Sequence, residues 1–145
     1  MAAALTPDQV RAFIQDDPGS NFLLEKEEFS NNRIQLVIDM TVSSFNAMTP
    51  ITYYTLDNFP NPLVLLYGVL QNLYLGQSAL SARNTMGYSD GGISLPIEER
   101  FEMYNRLATQ YGSLYADLGR QMKIQANLES GWGSVGSDYG NMPVW

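Results

Sequence analysis

The chain has 145 residues, 45% of them apolar and only 16% charged, with a net charge of -7. It contains no cysteine and no histidine, which removes disulfides, thiolate nucleophiles, thiolate metal sites and the usual general base near neutral pH. Its eight basic residues are scattered between Arg11 and Lys123, so no basic patch exists to grip nucleic-acid phosphates.

This length suits one domain with a real core, and the low charge leaves neutral surface for partners. An acidic surface repels DNA, which fits a conduit better than a clamp. The opening MAAALTPDQV lacks the basic and apolar regions of a secretory signal, so no leader is expected.

Thr6-Pro7-Asp8-Gln9 predicts a helix start, with Thr6 as cap, Pro7 in the first turn and Gln9 closing a capping box. Val10, Phe13 and Ile14 share one face, and Asp16-Asp17-Pro18-Gly19 stops the helix. A second helix follows the acidic run Glu25, Glu27 and Glu28, which suits a helix N-terminus. Ile34, Val37, Ile38, Thr41, Val42 and Phe45 recur at steps of three and four, the mark of one buried face. Propensity alone does not decide whether this helix begins near Leu24 or is reset at Ser30-Asn31-Asn32. Thr49 to Pro62 carries three prolines and reads as an ordered, extended connection that Tyr53 and Tyr54 pin to the helices.

Asn61-Pro62 predicts the central helix, running to about Asn84. From Leu63 to Ala82 it has no charged side chain, and apolar residues surround its first half, so that half should be enclosed. The apolar run, broken by Gly68, Gln71 and Asn72, fits a core helix rather than a membrane span. Beyond Leu75 the side chains shrink, and Gly76 and Ala79 allow another helix to come close, either within the fold or from a neighbouring subunit. Tyr88-Ser89-Asp90-Gly91-Gly92 predicts a tight reversal, with Met86 to Tyr88 and Ile93 to Leu95 fitting a short two-stranded ribbon.

Pro96 to about Leu128 should be the longest helix. Ile97, Phe101, Tyr104, Ala108, Tyr111, Tyr115, Leu118 and Met122 form an unbroken seam of alternating steps, widened by Leu107 and Leu114. The seam fits an antiparallel pairing with the central helix. The hydroxyls of Tyr104, Tyr111 and Tyr115 want partners or a wet edge, so part of this face is also expected to meet a neighbouring subunit. The division is therefore a helical domain over 1–128 and an extended arm over 129–145. Trp132, Tyr139 and Trp145 give that Gly-rich arm the aromatic anchors of a docking segment.

Chemistry is hard to place. Glu98 and Glu102 share a helical face, but on the outward side; Ser89-Asp90-Gly91-Gly92 lacks the alternating ligands of a calcium loop. No phosphate loop, nucleophile elbow or metalloprotease motif occurs. The reading is of a non-enzyme with no catalytic, cofactor-binding or metal-binding residue.

The segments FPNPLVLLYG and SARNTMGYSDGGIS, set between an acidic helical half and a Gly-rich end, resemble the small head–tail connector (neck or adaptor) proteins of tailed bacteriophages. The resemblance spans roughly Leu24 to Tyr139. It implies an all-α bundle protomer that forms a ring, commonly of twelve copies, beneath the portal of the virion. Such a ring extends the DNA channel without specific DNA binding or membrane contact and docks a further neck or tail protein. The arm would reach the portal, and the chain would be made in the bacterial cytoplasm. Other expectations to weigh are a tail-completion or baseplate component, a cellular helical scaffold, or a small hydrolase using Glu98 or Asp90.

Overall fold

The computed structural model describes residues 4–21, 24–84 and 97–133, the last without the side chains of 97–99, 132 and 133. Four helices make up the described fold: α1 (Pro7–Ile14), α2 (Asn31–Ala47), α3 (Pro62–Asn84) and α4 (Ile97–Gly133). The all-α class expected from the sequence is what the chain adopts, with a long C-terminal helix. The predicted ribbon at Met86 to Leu95 lies outside the described residues, as do Tyr139 and Trp145.

Local chemistry sets most helix ends. The Thr6 N–H donates to Gln9 Oε1 at 3.0 Å, while Gln9 N–H donates to Thr6 Oγ1 at 3.3 Å, closing the capping box. Gln15 then takes a left-handed conformation, φ 55°, and ends α1. Helix α2 starts at the second of the two sites left open, because Ser30 Oγ accepts the Arg33 N–H at 3.3 Å. Asn61 Oδ1 accepts the Leu63 N–H at 3.0 Å at the head of α3. At the other end of the chain, α4 continues to Gly133 instead of stopping near Leu128. Glycine costs a helix about 1 kcal/mol without breaking it. Here Gln125 donates to Glu129 at 2.9 Å and Ser130 to Asn127 O at 3.0 Å, which hold the last turns. Trp132 therefore sits in a helical turn rather than in an extended arm.

Helices α3 and α4 form an antiparallel hairpin, since Tyr67 stacks on Tyr111 while Tyr74 stacks on Tyr104. Helix α2 runs antiparallel to α3: Arg33 reaches Gln77 and Thr41 reaches Asn72. It is therefore parallel to α4. The core combines Ile34, Ile38, Val42 and Phe45 of α2 with Val64, Leu65, Val69, Leu70 and Leu73 of α3. Helix α3 passes the length and hydropathy test for a membrane span, but half of its apolar window is buried inside the bundle. That is the enclosure its uncharged sequence predicts.

Between α2 and α3 the chain is tied down by Asn46. Its Nδ2 donates to Tyr54 O at 2.7 Å, and its Oδ1 accepts the Tyr54 N–H and the Thr52 hydroxyl, both at 3.0 Å. Tyr54 packs against Phe59 and Phe45, as expected. Tyr53 does not pin the loop: it is 88% exposed. In extended backbone, adjacent side chains point to opposite sides, so only one of the two can face the core.

Two glycines of α3 show how differently close packing can be arranged. A Cβ on Gly68 would lie 2.5 Å from Thr41 Cγ2 and 2.8 Å from the Tyr115 ring, both held in the core. A Cβ on Gly76 would meet only the mobile end of Arg33, at 2.7 Å from Nη2. Gly68→Ala should thus destabilise by about 1–3 kcal/mol through overpacking, despite better helix propensity. Gly76→Ala should be neutral or gain up to about 1 kcal/mol. Urea midpoints of the two variants check this; equal midpoints would contradict it.

Candidate functional site

The α3–α4 contact is a ladder of tyrosines. Tyr104, Tyr74, Tyr111 and Tyr67 stack in turn, with ring centroids 6.2, 5.9 and 6.0 Å apart. Phe29 meets Tyr74 edge-on at 6.1 Å. One end of the ladder is closed by Glu28, whose Oε1 accepts from the Tyr104 hydroxyl and, at 2.8 Å, from Gln77 Nε2. The hydroxyl of Tyr115, one turn along the same face, is 3.4 Å from Ser44 Oγ. So the hydroxyls of Tyr104 and Tyr115 find their partners within the protomer.

Burial raises the pKa of these hydroxyls. Tyr74 is pushed up to about 12 by desolvation and then by its neighbour Tyr111. Burial and the hydrogen bond to Glu28 raise Tyr104 further, and burial raises Tyr115 against a small opposing effect of Ser44. Each folded value lies above the ordinary 10.0, so the stability these groups contribute is complete below pH 10 and is lost as pH rises through the folded values. Lys123 runs the other way. Burial lowers its pKa from 10.5, so stability from that group rises with pH between the lowered value and 10.5. Three tyrosines against one lysine predict a falling urea midpoint above pH 10, less steep in Tyr74→Phe. A midpoint that holds or climbs over that range would contradict this.

Lys123 is 3% exposed, ten residues before the end of α4. Its Nζ donates to Pro50 O at 2.9 Å and Thr52 Oγ1 at 2.7 Å, and lies 4.5 Å from the centre of the Phe45 ring. Among the described residues no carboxylate pairs with it; the ion pairs found there are Arg11 with Asp16 and with Glu27. The lysine ties α4 to the loop after α2. Asp16, also 3% exposed, plays the matching part for the segment after α1, accepting from Arg11, Asn21 and the N–H groups of Glu28 and Phe29.

Among the described residues no three His, Cys, Asp or Glu side chains come together to hold a metal. A cleft of 370 Å³ near the end of α3 is lined by Glu28, Gln77, Arg100 and Tyr104 among others, and its best-placed carboxylate, Glu28, already serves two donors.

The residues expected to make subunit contacts separate on this structure. Tyr115 is buried, Tyr104 and Tyr111 are half-buried in the ladder, and Gly76 faces Arg33 of its own α2. Of those five only Ala79 is exposed. The free apolar surface lies elsewhere. On α2, Leu36 is 58% and Met40 60% exposed. On α4, Met103, Leu114, Ile124 and Leu128 are exposed, with Leu107 half-buried beside them. The sequence carried this signal as a second run of alternating steps through 103, 107, 110, 114, 117, 121, 124 and 128, offset from the seam.

No family model, curated protein or solved structure matches this chain.

Proposed function

We propose that this chain is a structural subunit of a phage virion, a head–tail connector that assembles as a ring between portal and tail. The observation that carries the reading is the pair of exposed apolar faces on α2 and α4, outside a core already complete without them. Monomeric proteins rarely leave such faces bare, and rims of polar residues around them are typical of subunit contacts. The acidic, low-charge composition supports a channel through which DNA slides without being held. The resemblance in FPNPLVLLYG and SARNTMGYSDGGIS supplies the class of assembly. Portal and tail proteins are the partners, with Trp132, Tyr139 and Trp145 as anchors at the chain's end.

Quantitative mass spectrometry of purified particles from the source tests the placement. The expected result is this chain at a fixed copy number matching the portal ring. A copy number in step with the tail tube or baseplate would move it to the tail, and its absence from particles would leave the cellular scaffold.

A further inference from the structure

We infer that adjacent copies join through a head-to-tail contact, the outward stripe of α2 in one copy lying along the outer stripe of α4 in the next. This rests on the ring reading above and names the surfaces it uses.

The two stripes have the same spacing. Leu36, Met40, Ser43 and Ala47 follow steps of four, three and four on α2, directly opposite the buried Ile34, Ile38, Thr41 and Phe45. The α4 stripe has those steps throughout, the pattern by which helices pack side by side. The stripes also lie on opposite sides of the protomer. Helix α2 and its loop meet α4 through Tyr115, Gly119 and Lys123. Leu114 is about two and a half helical turns from Lys123, so it projects the other way. Two different faces on opposite sides make a heterologous contact, which forms a ring when its rotation closes and a filament when it does not.

Levels and directions agree as well. Phe45 packs on Gly119, and Thr41 and Tyr115 both pack at Gly68, so α2 and α4 residues at one level are 74 apart in number (45 to 119, 41 to 115). Rotation about an axis along the helices changes neither level nor direction. It would bring Leu36 to Gln110, Met40 to Leu114, Ser43 to Asp117 and Ala47 to Gln121. All four partners fall on the α4 stripe. Leu36 then packs between Leu107 and the Gln110 stem, and Met40 meets Leu114. The Ser43 hydroxyl, now donating to Asp39 O at 3.0 Å, can turn to Asp117 and fix the register. Asp39, beside the α2 stripe, comes level with Ser113, with Asp117 one turn away and Arg106 and Arg120 one heptad to either side, so the contact carries charges of both signs.

Because the chain has no cysteine, the contact can be tested by disulfide trapping without background. Met40→Cys and Leu114→Cys are both surface changes. Mixed under mild oxidation, the two single variants should give a covalent dimer, whereas each alone should stay monomeric on a non-reducing gel. The double variant should give a ladder of higher multiples. Leu36→Cys with Gln110→Cys should behave alike, which guards against one ill-placed pair. Self-linkage of Leu114→Cys would overturn the proposal in favour of α4 packing on its own copy. Absence of both cross-links, with native mass spectrometry showing rings of the unmodified chain, would overturn this contact and leave the ring. No cross-link and a monomer throughout would count against both.

Discussion

Replacing Asp16 with Ala should cost about 3–5 kcal/mol, because it leaves the buried Phe29 N–H and the partly buried donors of Asn21 and Glu28 unmatched and strips Arg11 of one of its two carboxylates. The carboxylate is 3% exposed and has no spare capacity. Oδ1 accepts from Asn21 Nδ2 and the Glu28 N–H, both at 2.6 Å, and Oδ2 from the Phe29 N–H at 3.0 Å and Arg11 Nη1 at 3.2 Å. Arg11 in turn donates to Phe29 O at 2.8 Å, so the loss propagates to the join between α1 and the start of α2. Asp16→Asn keeps the shape but presents an amide N–H₂ to groups that themselves donate, so it should rescue only part of the loss. Urea unfolding gives the magnitude, and hydrogen exchange at the Glu28 and Phe29 amides locates it. A loss under about 1 kcal/mol in Asp16→Ala would mean the network is not coupled to global stability.

Phe45→Ala should be as damaging by a different route. The ring is fully buried and packs on Phe59 at 5.0 Å and Tyr54 at 6.2 Å, with Gly119 of α4 3.5 Å from its edge when given a Cβ. Removing it opens a cavity, with an expected cost of about 3–5 kcal/mol. It also removes the face on which the Lys123 ammonium rests, worth about 0.5–2 kcal/mol. Phe45→Leu should retain most of the volume and lose roughly half as much. The check is thermal unfolding, together with exchange of the Tyr54 amide, which should become less protected as the loop loosens. A Phe45→Ala protein melting like the parent would contradict the placement of this ring at the meeting point of α2, the loop and α4.

Most helix starts were legible because they are written in neighbouring residues. Thr6 and Gln9 form their box within one turn, and Asn61-Pro62 opens α3 in the same local way. The core face of α2 was legible from spacing, and the enclosure of α3 from the apolar residues all round its first half. What escaped was set by distant partners. Asp16 reads as a helix stop, yet its donors at Glu28 and Phe29 are 12 and 13 residues away. Nothing in the residues around Lys123 shows that Pro50 and Thr52 lie beside it. The choice between Tyr53 and Tyr54 depends on which side of an extended segment faces Phe59, which periodicity over so short a stretch does not fix.

The candidate surface was only half legible for a related reason. Helix α4 carries two apolar stripes, and spacing says that both exist without saying which one α3 covers. The tyrosine seam goes inward because stacked rings and Glu28 meet it there. Met103, Leu107 and Leu114 are then left outside, where part of their sequence signal had been taken for a widening of the inner seam. In the same way Gly76 allowed close packing either within the fold or by another subunit, and here it faces Arg33 of its own α2.

The central claim, that this chain is a ring subunit at the capsid–tail junction, is tested most directly by cryo-electron microscopy of intact particles from its source, focused on that junction. The account predicts a ring beneath the portal whose repeating density fits the α3–α4 hairpin, with α2 of each copy against α4 of the next. A junction fully accounted for by other chains, with no density for this hairpin, would contradict it.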